Sequence, residues 1–292
     1  MLSRRDLLIR GFLLVTAAKI KASLPAAPSL KQKFKIGACD WSLGMNSDIR
    51  AFAIARTIGL DGLMVDVGSP SNNLHLRNKE VQQQYLQESE RTGVAISSLA
   101  LGALNNFPYK SDPQTEEWVW DSIDVAKNLG VPVILLAFFH KNDLRNDESG
   151  IKEVIRKLKA VSKKAEQSGI ILGIESYLNG ADHLRIIEAV GSKNVKVYMD
   201  FRNTADAKWS VLNEVKTIGA QNICELHMKE NGQLLGQGDL PWNSICKLLE
   251  EMNYTGDGWM QIESSNPETS DVITNYKHNL QFLQQLFNKK SA

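Results

Sequence analysis

Cysteine is scarce in this chain: three in 292 residues, too few for a disulfide framework. Long apolar runs are missing as well, and nothing approaches the ~20 residues that a membrane-spanning helix needs. Charge of one sign is not in excess. Lys and Arg total 34 against 33 Asp and Glu, a net of +1. A protein that binds nucleic acid by bulk charge needs a basic surplus, so that class is excluded. Eight prolines and twenty glycines are too few for a collagen-like or Pro-rich chain. What is present is globular in proportion, 43% hydrophobic and 23% charged. That is enough apolar material to offset the entropy of ordering the chain.

The first thirty residues differ from the rest. Arg4, Arg5 and Arg10 precede a short apolar stretch, Gly11 to Ala18, and an Ala/Pro/Ser-rich segment runs to about Leu30. This charged, apolar, small-residue order is that of a secretory signal. Ser3-Arg4-Arg5-Asp6-Leu7-Leu8 resembles a twin-arginine export signal, with Leu7 where that family prefers Phe and Ile9 where it often has Lys. The resemblance implies passage through the twin-arginine export machinery to the bacterial periplasm or the exterior. The apolar part is too short for a stable membrane anchor. The alternative is an amphipathic helix belonging to the fold. Removing this basic tag leaves a mildly acidic body, close to the ~250 residues typical of one (β/α)8 barrel. The expected organisation is therefore a signal and linker over 1–30 and one domain over 31–292.

From Phe34 onward, short β-rich runs alternate with longer amphipathic stretches. The pattern predicts strands over 34–39, 62–67, 94–101, 132–138, 170–175, 195–200, 222–228 and 258–263. Helices are predicted over 47–58, 78–92, 114–129, 148–168, 181–190, 206–219, 241–252 and 269–288. Gly59, Gly93, Gly130 and Gly169 each close a helix before a strand. Eight βα units without a composition break predict an α/β fold, the (β/α)8 TIM barrel. An open doubly wound sheet is disfavoured, because no strand runs through a Gly-x-Gly-x-x-Gly turn into a helix.

In such a barrel the chemistry sits where the strands end. The last four predicted strands end in Glu175, Asp200, His227 and Glu263, each preceded by an apolar residue. Strand alternation can then point all four into the mouth. Three carboxylates and an imidazole converging there would repel one another without a cation. A divalent metal resolves the conflict, and one His with three carboxylates favours a hard or borderline ion. Mn2+ leads, with Mg2+, Co2+ or Zn2+ as alternatives.

This quartet, its strand order, His227-Met228-Lys229-Glu230 and the loop Gly236-Gln237-Gly238-Asp239 before Pro241-Trp242 carry a resemblance. The chain resembles the xylose isomerase-like barrels of the sugar phosphate isomerase/epimerase superfamily over 34–288. The resemblance implies that Glu175 and Glu263 are metal ligands and also the acid/base pair, while Asp200 and His227 are ligands only. It implies proton abstraction next to the carbonyl of a keto-sugar, through an enediolate. Isomerisation or epimerisation is the expected outcome. A lyase acting on a 3-keto-glycoside by the same chemistry, and a non-catalytic sugar-binding barrel, are the alternatives. Dimers or tetramers are common in the family, although no segment here marks an interface. Three positions depart from ketose 3-epimerases: Ala181, Asn203 and Gln233 stand where many members have Glu, His and Arg. The few histidines do not fit the multi-zinc endonuclease branch.

Lys229 shares a strand face with His227 and is expected to meet substrate, as are Trp41, His140, Asn203 and Trp242. Packing is the competing role for the aromatics, and a solvated strand exit for the lysine. Alternation places Gly173, Tyr198, Glu225 and Gln261 one layer below. Glu225 is expected to orient His227 or another ligand, or else to form a structural ion pair. Cys39, Cys224 and Cys246 are first of all small buried residues. Cys224 is expected to face outward, toward the helix with Cys246, which leaves a disulfide open.

Overall fold

The computed structural model describes residues 34–267 and 271–288. The export signal expected over 1–30 lies outside them. The strands are β1 (Lys35–Cys39), β2 (Gly62–Asp66), β3 (Ala95–Leu101), β4 (Val133–Phe138), β5 (Ile171–Ser176), β6 (Val195–Asp200), β7 (Ile223–Lys229) and β8 (Trp259–Glu263). They form a closed barrel in sequence order, every pair parallel, with β1 closing on β8 through Ile36 opposite Met260. Each predicted strand is present to within about a residue at either end.

Among the described residues the helices are α1 (Ala51–Ile58), α2 (Lys79–Thr92), α3 (Gln114–Leu129), α4 (Glu148–Ser168), α5 (Gly180–Val190), α6 (Phe201–Asp206), α7 (Val211–Ile218), α8 (Trp242–Glu251) and α9 (Val272–Asn288). The longest, α4, shows why they form. Ile151, Val154, Leu158, Val161 and Ala165 recur at three- and four-residue spacing and are all buried. Truncating the fully buried Leu158 to Ala is expected to cost about 2–5 kcal/mol. Asp147 caps the helix start by accepting from the Gly150 amide, and Gly169 ends it at φ +70°, a left-handed conformation that costs glycine little. None of these helices is long and apolar enough to cross a membrane.

The helix expected over 206–219 is instead two helices, α6 and α7. Asp200 ends β6 and caps α6 directly, its side chain accepting from the Asn203 amide. Lys208, at φ +68°, then breaks the chain before α7. The consequence is functional, because α6 holds Asn203 beside the strand tip that carries Asp200.

Two apolar layers result from strand alternation. Leu63, Val65, Ile134, Leu136, Leu172, Ile174, Leu226 and Ile262 belong to the layer shared with the helices. Cys39, Met64, Ala100, Leu135, Ala137, Tyr198 and Cys224 form a separate interior cluster. Cys224 therefore faces inward, contrary to the outward direction expected from simple alternation. The β6–β7 register shifts between Val197 and Tyr198, so that Tyr198 pairs with Glu225 and Cys224 is the extra residue. Its sulfur lies 2.9 Å from where a Cβ on Gly173 would stand, whereas Cys246 sits in the outer layer with its sulfur directed at the Leu286 carbonyl. All three cysteines are free, and no Cys224–Cys246 bridge forms.

Candidate metal centre

The strand tips of β5 to β8 bring Glu175, Asp200, His227 and Glu263 together. One ligand atom from each can be chosen so that all four lie within 4.8 Å of one another, and all four residues are buried. His227 turns Nδ1 toward the carboxylates, 2.9 Å from Glu175 Oε1, 3.5 Å from Glu263 Oε2 and 3.9 Å from Asp200 Oδ2. Its Nε2 lies 3.4 Å from Cys39 Sγ. Tyr198 packs against the imidazole with ring centroids 4.6 Å apart. The histidine is thus held on three sides.

Lys229 and Asn203 complete the cluster. Lys229 Nζ is 2.7 Å from Glu263 Oε2, 3.5 Å from Asp200 Oδ2 and 3.3 Å from Asn203 Oδ1. The Asn203 side-chain amide donates to Glu175 Oε1 at 3.2 Å. Trp41, from the loop after β1, donates its indole N–H to Glu263 Oε1 at 3.0 Å.

The electrostatics show a site short of positive charge. Burial pushes Asp200 up to about 7, with Lys229 opposing the shift. Burial would lower His227, but the Glu175 and Glu263 carboxylates beside it raise it to about 9. Glu263 resists burial because Lys229 and His227 hold it down, at about 2. Protons and one lysine here do the neutralising that a divalent cation does more completely. Asp200 Oδ2 is buried with no hydrogen bond, only the longer ion-pair contacts of Lys229 at 3.5 Å and His227 at 3.9 Å. A carboxylate oxygen without a hydrogen bond, a convergent His nitrogen and two more carboxylates fit a hard or borderline divalent ion.

The cluster opens into a cavity of about 620 Å³. Of the four cluster residues, Glu175 and Glu263 line this cavity; Asp200 and His227 stand behind them. Trp41, Asn203, Lys229 and His140 also line it, so four of the five residues expected to meet substrate are at the mouth. His140 is on the exposed rim at φ +50°. Trp242 is elsewhere. It opens α8 after Pro241, packs between Phe201 and Phe282, and donates its indole N–H to Glu230 Oε1 at 2.7 Å. The apolar face of α8 turns it into the outer core.

Glu225, expected to orient His227 or another ligand, makes no direct hydrogen bond to His227; it bonds Tyr198, the ring that packs on His227. It lies one layer deeper, where its Oε1 accepts from Gln261 Nε2 at 2.8 Å and Ser98 Oγ at 3.3 Å. Burial raises it above the usual carboxylate range, with these hydrogen bonds opposing. It is the centre of a polar plug in the barrel floor, and Cys39, read from sequence as packing, is the residue behind His227.

Two carboxylates escaped the sequence reading. Asp66 ends β2 and lines the cavity; Asp40 follows β1 and is fully buried. Asp40 Oδ2 accepts from the Ser47 and Asp66 amides, both at 3.1 Å. Burial pushes Asp40 up to about 8, with Asp66 adding to the shift, and burial pushes Asp66 up to about 7. The strand-tip rule flags Asp66 once it is applied to the first four strands as well as the last four.

An eight-stranded barrel with an acidic and histidine cluster at its C-terminal mouth is the architecture of a small-molecule enzyme scaffold. A family model described as a xylose isomerase-like TIM barrel matches residues 52–286. The chain belongs to that family. It is 26% identical over 215 residues to a 2-epi-5-epi-valiolone 7-phosphate 2-epimerase from Actinoplanes sp., covering 70% of this chain and 77% of that protein. A crystal structure of D-psicose 3-epimerase in the presence of D-fructose superposes with a TM-score of 0.73 at 16% identity, covering 87% of this chain and all of that one. The apo 3-keto-D-glucoside 4-epimerase of E. coli superposes with a TM-score of 0.70 at 15% identity and the same coverage. At these identities the structural likeness is one of fold.

Proposed function

We propose that the protein is a divalent-metal-dependent sugar epimerase or isomerase that moves a proton next to a carbonyl. The observation that carries this reading is the division of the cluster. Glu175 and Glu263 reach the cavity from strands three apart in the barrel, while Asp200 and His227 stay behind them. Two carboxylates presented to one cavity from different strands can serve the two faces of a bound sugar. The family's epimerase relatives support the same chemistry.

Glu175, Asp200, His227 and Glu263 would hold the ion. When bound, it supplies Lewis acidity toward a substrate carbonyl and its neighbouring hydroxyl. The chain's own residues do the rest. One of Glu175 and Glu263 takes the proton on the carbon beside the carbonyl, and the other returns a proton to the opposite face. Lys229, already within 2.7 Å of Glu263, is placed to meet negative charge developing on a substrate oxygen. Trp41 holds Glu263 Oε1 and Asn203 holds Glu175 Oε1, which sets the orientation of both carboxylates, while Glu263 Oε2 is paired with Lys229.

The test is solvent-deuterium incorporation by the Mn2+-loaded protein across a panel of free ketoses and 3-keto-glycosides, with product analysis. Incorporation with an inverted or shifted centre supports epimerisation or isomerisation. Loss of a β-leaving group identifies a lyase, and absence of exchange on every sugar refutes the reading. We further propose export through residues 1–30, tested by whether Arg4→Lys/Arg5→Lys blocks secretion of the full chain.

A further inference from the structure

The cavity has two chemically different halves. The cluster occupies the side built by β5 to β8. The side built by the loops after β2, β3 and β4 carries Asp66, Asn72, Asn105, Asn106 and His140. In barrel order β2 and β3 stand across from β6 and β7, so these groups face the cluster over the mouth.

We propose that this second half is a subsite for a neutral, hydroxyl-rich sugar unit, and that the substrate is a glycoside or disaccharide rather than a sugar phosphate. The inference rests on the proposed reaction only in deciding which end of the substrate reacts.

Volume is the first argument. The cavity, about 620 Å³, extends from the cluster across the mouth to the loops after β2, β3 and β4, which leaves room beside a ring held at the cluster. Chemistry is the second. Phosphate recognition calls for guanidinium, ammonium or converging backbone amides. Among the described residues the only Lys or Arg lining this cavity is Lys229, and it is held between Glu263 and Asp200 at the far side. The half opposite offers Asn side-chain amides, the His140 imidazole and the Asp66 carboxyl, groups that pair with hydroxyls and include no Lys or Arg. The third argument is a placed carboxylate. Asp66 is over nine-tenths buried yet lines the cavity. Gly102 lets the backbone come close to it: a Cβ there would stand 2.7 Å from Asp66 Oδ2, and the Gly102 amide and the Ser47 side chain hydrogen-bond this carboxylate. The carboxylate is also fixed, because Asp66 Oδ1 accepts from the Gly68 amide at 2.5 Å. A carboxylate fixed in place at the cavity wall suits a sugar hydroxyl.

Calorimetric titration of the Mn2+-loaded full chain with glucose, maltose, cellobiose and glucose 6-phosphate tests the assignment. The expected result is at least about tenfold tighter binding of the better disaccharide than of glucose, with glucose 6-phosphate weaker than glucose. Asn106→Trp, at an exposed lining position, should fill the subsite and bring the disaccharide-to-glucose ratio close to one. Asp66→Asn should lower that ratio. Disaccharide binding that is absent or no tighter than glucose, preference for glucose 6-phosphate, or a ratio untouched by Asn106→Trp overturns the proposal. These affinities are read without turnover, so a failure of proton exchange would count against the reaction and not against the subsite.

Discussion

Trp41 Nε1 donates to Glu263 Oε1 at 3.0 Å, so a loop after the first strand holds the carboxylate that ends the last. The barrel closes through β1 and β8, and this bond carries the closure into the site. Trp41→Phe keeps the ring and removes the donor. A hydrogen bond to a charged group contributes about 1.5–3 kcal/mol. Turnover is therefore expected to fall about 10- to 100-fold with metal content retained, as measured by steady-state kinetics beside elemental analysis. Unchanged turnover would show that the Trp41 hydrogen bond does not support Glu263 in catalysis.

Metal should stabilise the fold, because the four ligand side chains converge only in the folded barrel. An ion present at one hundred times its Kd adds about 2.7 kcal/mol. For a domain of this size each kcal/mol raises Tm by about 2–4 °C. Mn2+ added after chelator treatment should thus raise Tm by about 5–10 °C in a thermal melt. Asp200→Ala, which removes the Oδ2 that lacks a hydrogen bond, should abolish the shift.

Lys229 plays two opposed parts. Its ammonium pairs with Glu263 and Asp200, two of the carboxylates proposed to hold the ion, yet it is the lining lysine that can meet charge on a substrate. Lys229→Met should tighten Mn2+ binding about tenfold or more, followed by metal titration, while turnover falls at least about 100-fold. Weaker metal binding in this variant would contradict this expectation.

Asp40 carries a pH signature. Burial raises its folded value to about 8, against about 3.9 for an unfolded Asp. The folded state therefore holds more protons than the unfolded state across that window. Stability from this group is fully present below about 4 and is lost as pH rises through 8. Asp40→Asn keeps an acceptor for the Ser47 and Asp66 amides without the charge. Its Tm should exceed wild type at pH 8.5 and approach wild type at pH 4.5, as read by calorimetry at both values.

Most of the barrel was legible because each strand alternates an outer apolar face with a barrel-facing one, and each helix carries a periodic stripe such as Ile151, Val154 and Leu158. The quartet was legible for the same reason: an ionisable residue at a strand tip interrupts the apolar pattern. Other features were not legible, Cys224, Trp242 and Asp66 among them. Cys224 turned inward because a register shift between β6 and β7 depends on how two strands pair. Trp242 went to the core because its direction is set by the face of α8, invisible in the motif before it. Asp66 was missed because β2 is apolar up to its last residue and a single acid there resembles a cap.

Glu175 and Glu263 are proposed to act on opposite faces of one bound sugar. That assignment is tested most directly by following deuterium from D2O into each epimer of the accepted keto-sugar with Glu175→Gln and Glu263→Gln, both Mn2+-loaded. Each variant should exchange the proton of one epimer only and convert neither, while the wild type exchanges and converts both. Interconversion at the wild-type rate in either variant would contradict the two-carboxylate mechanism.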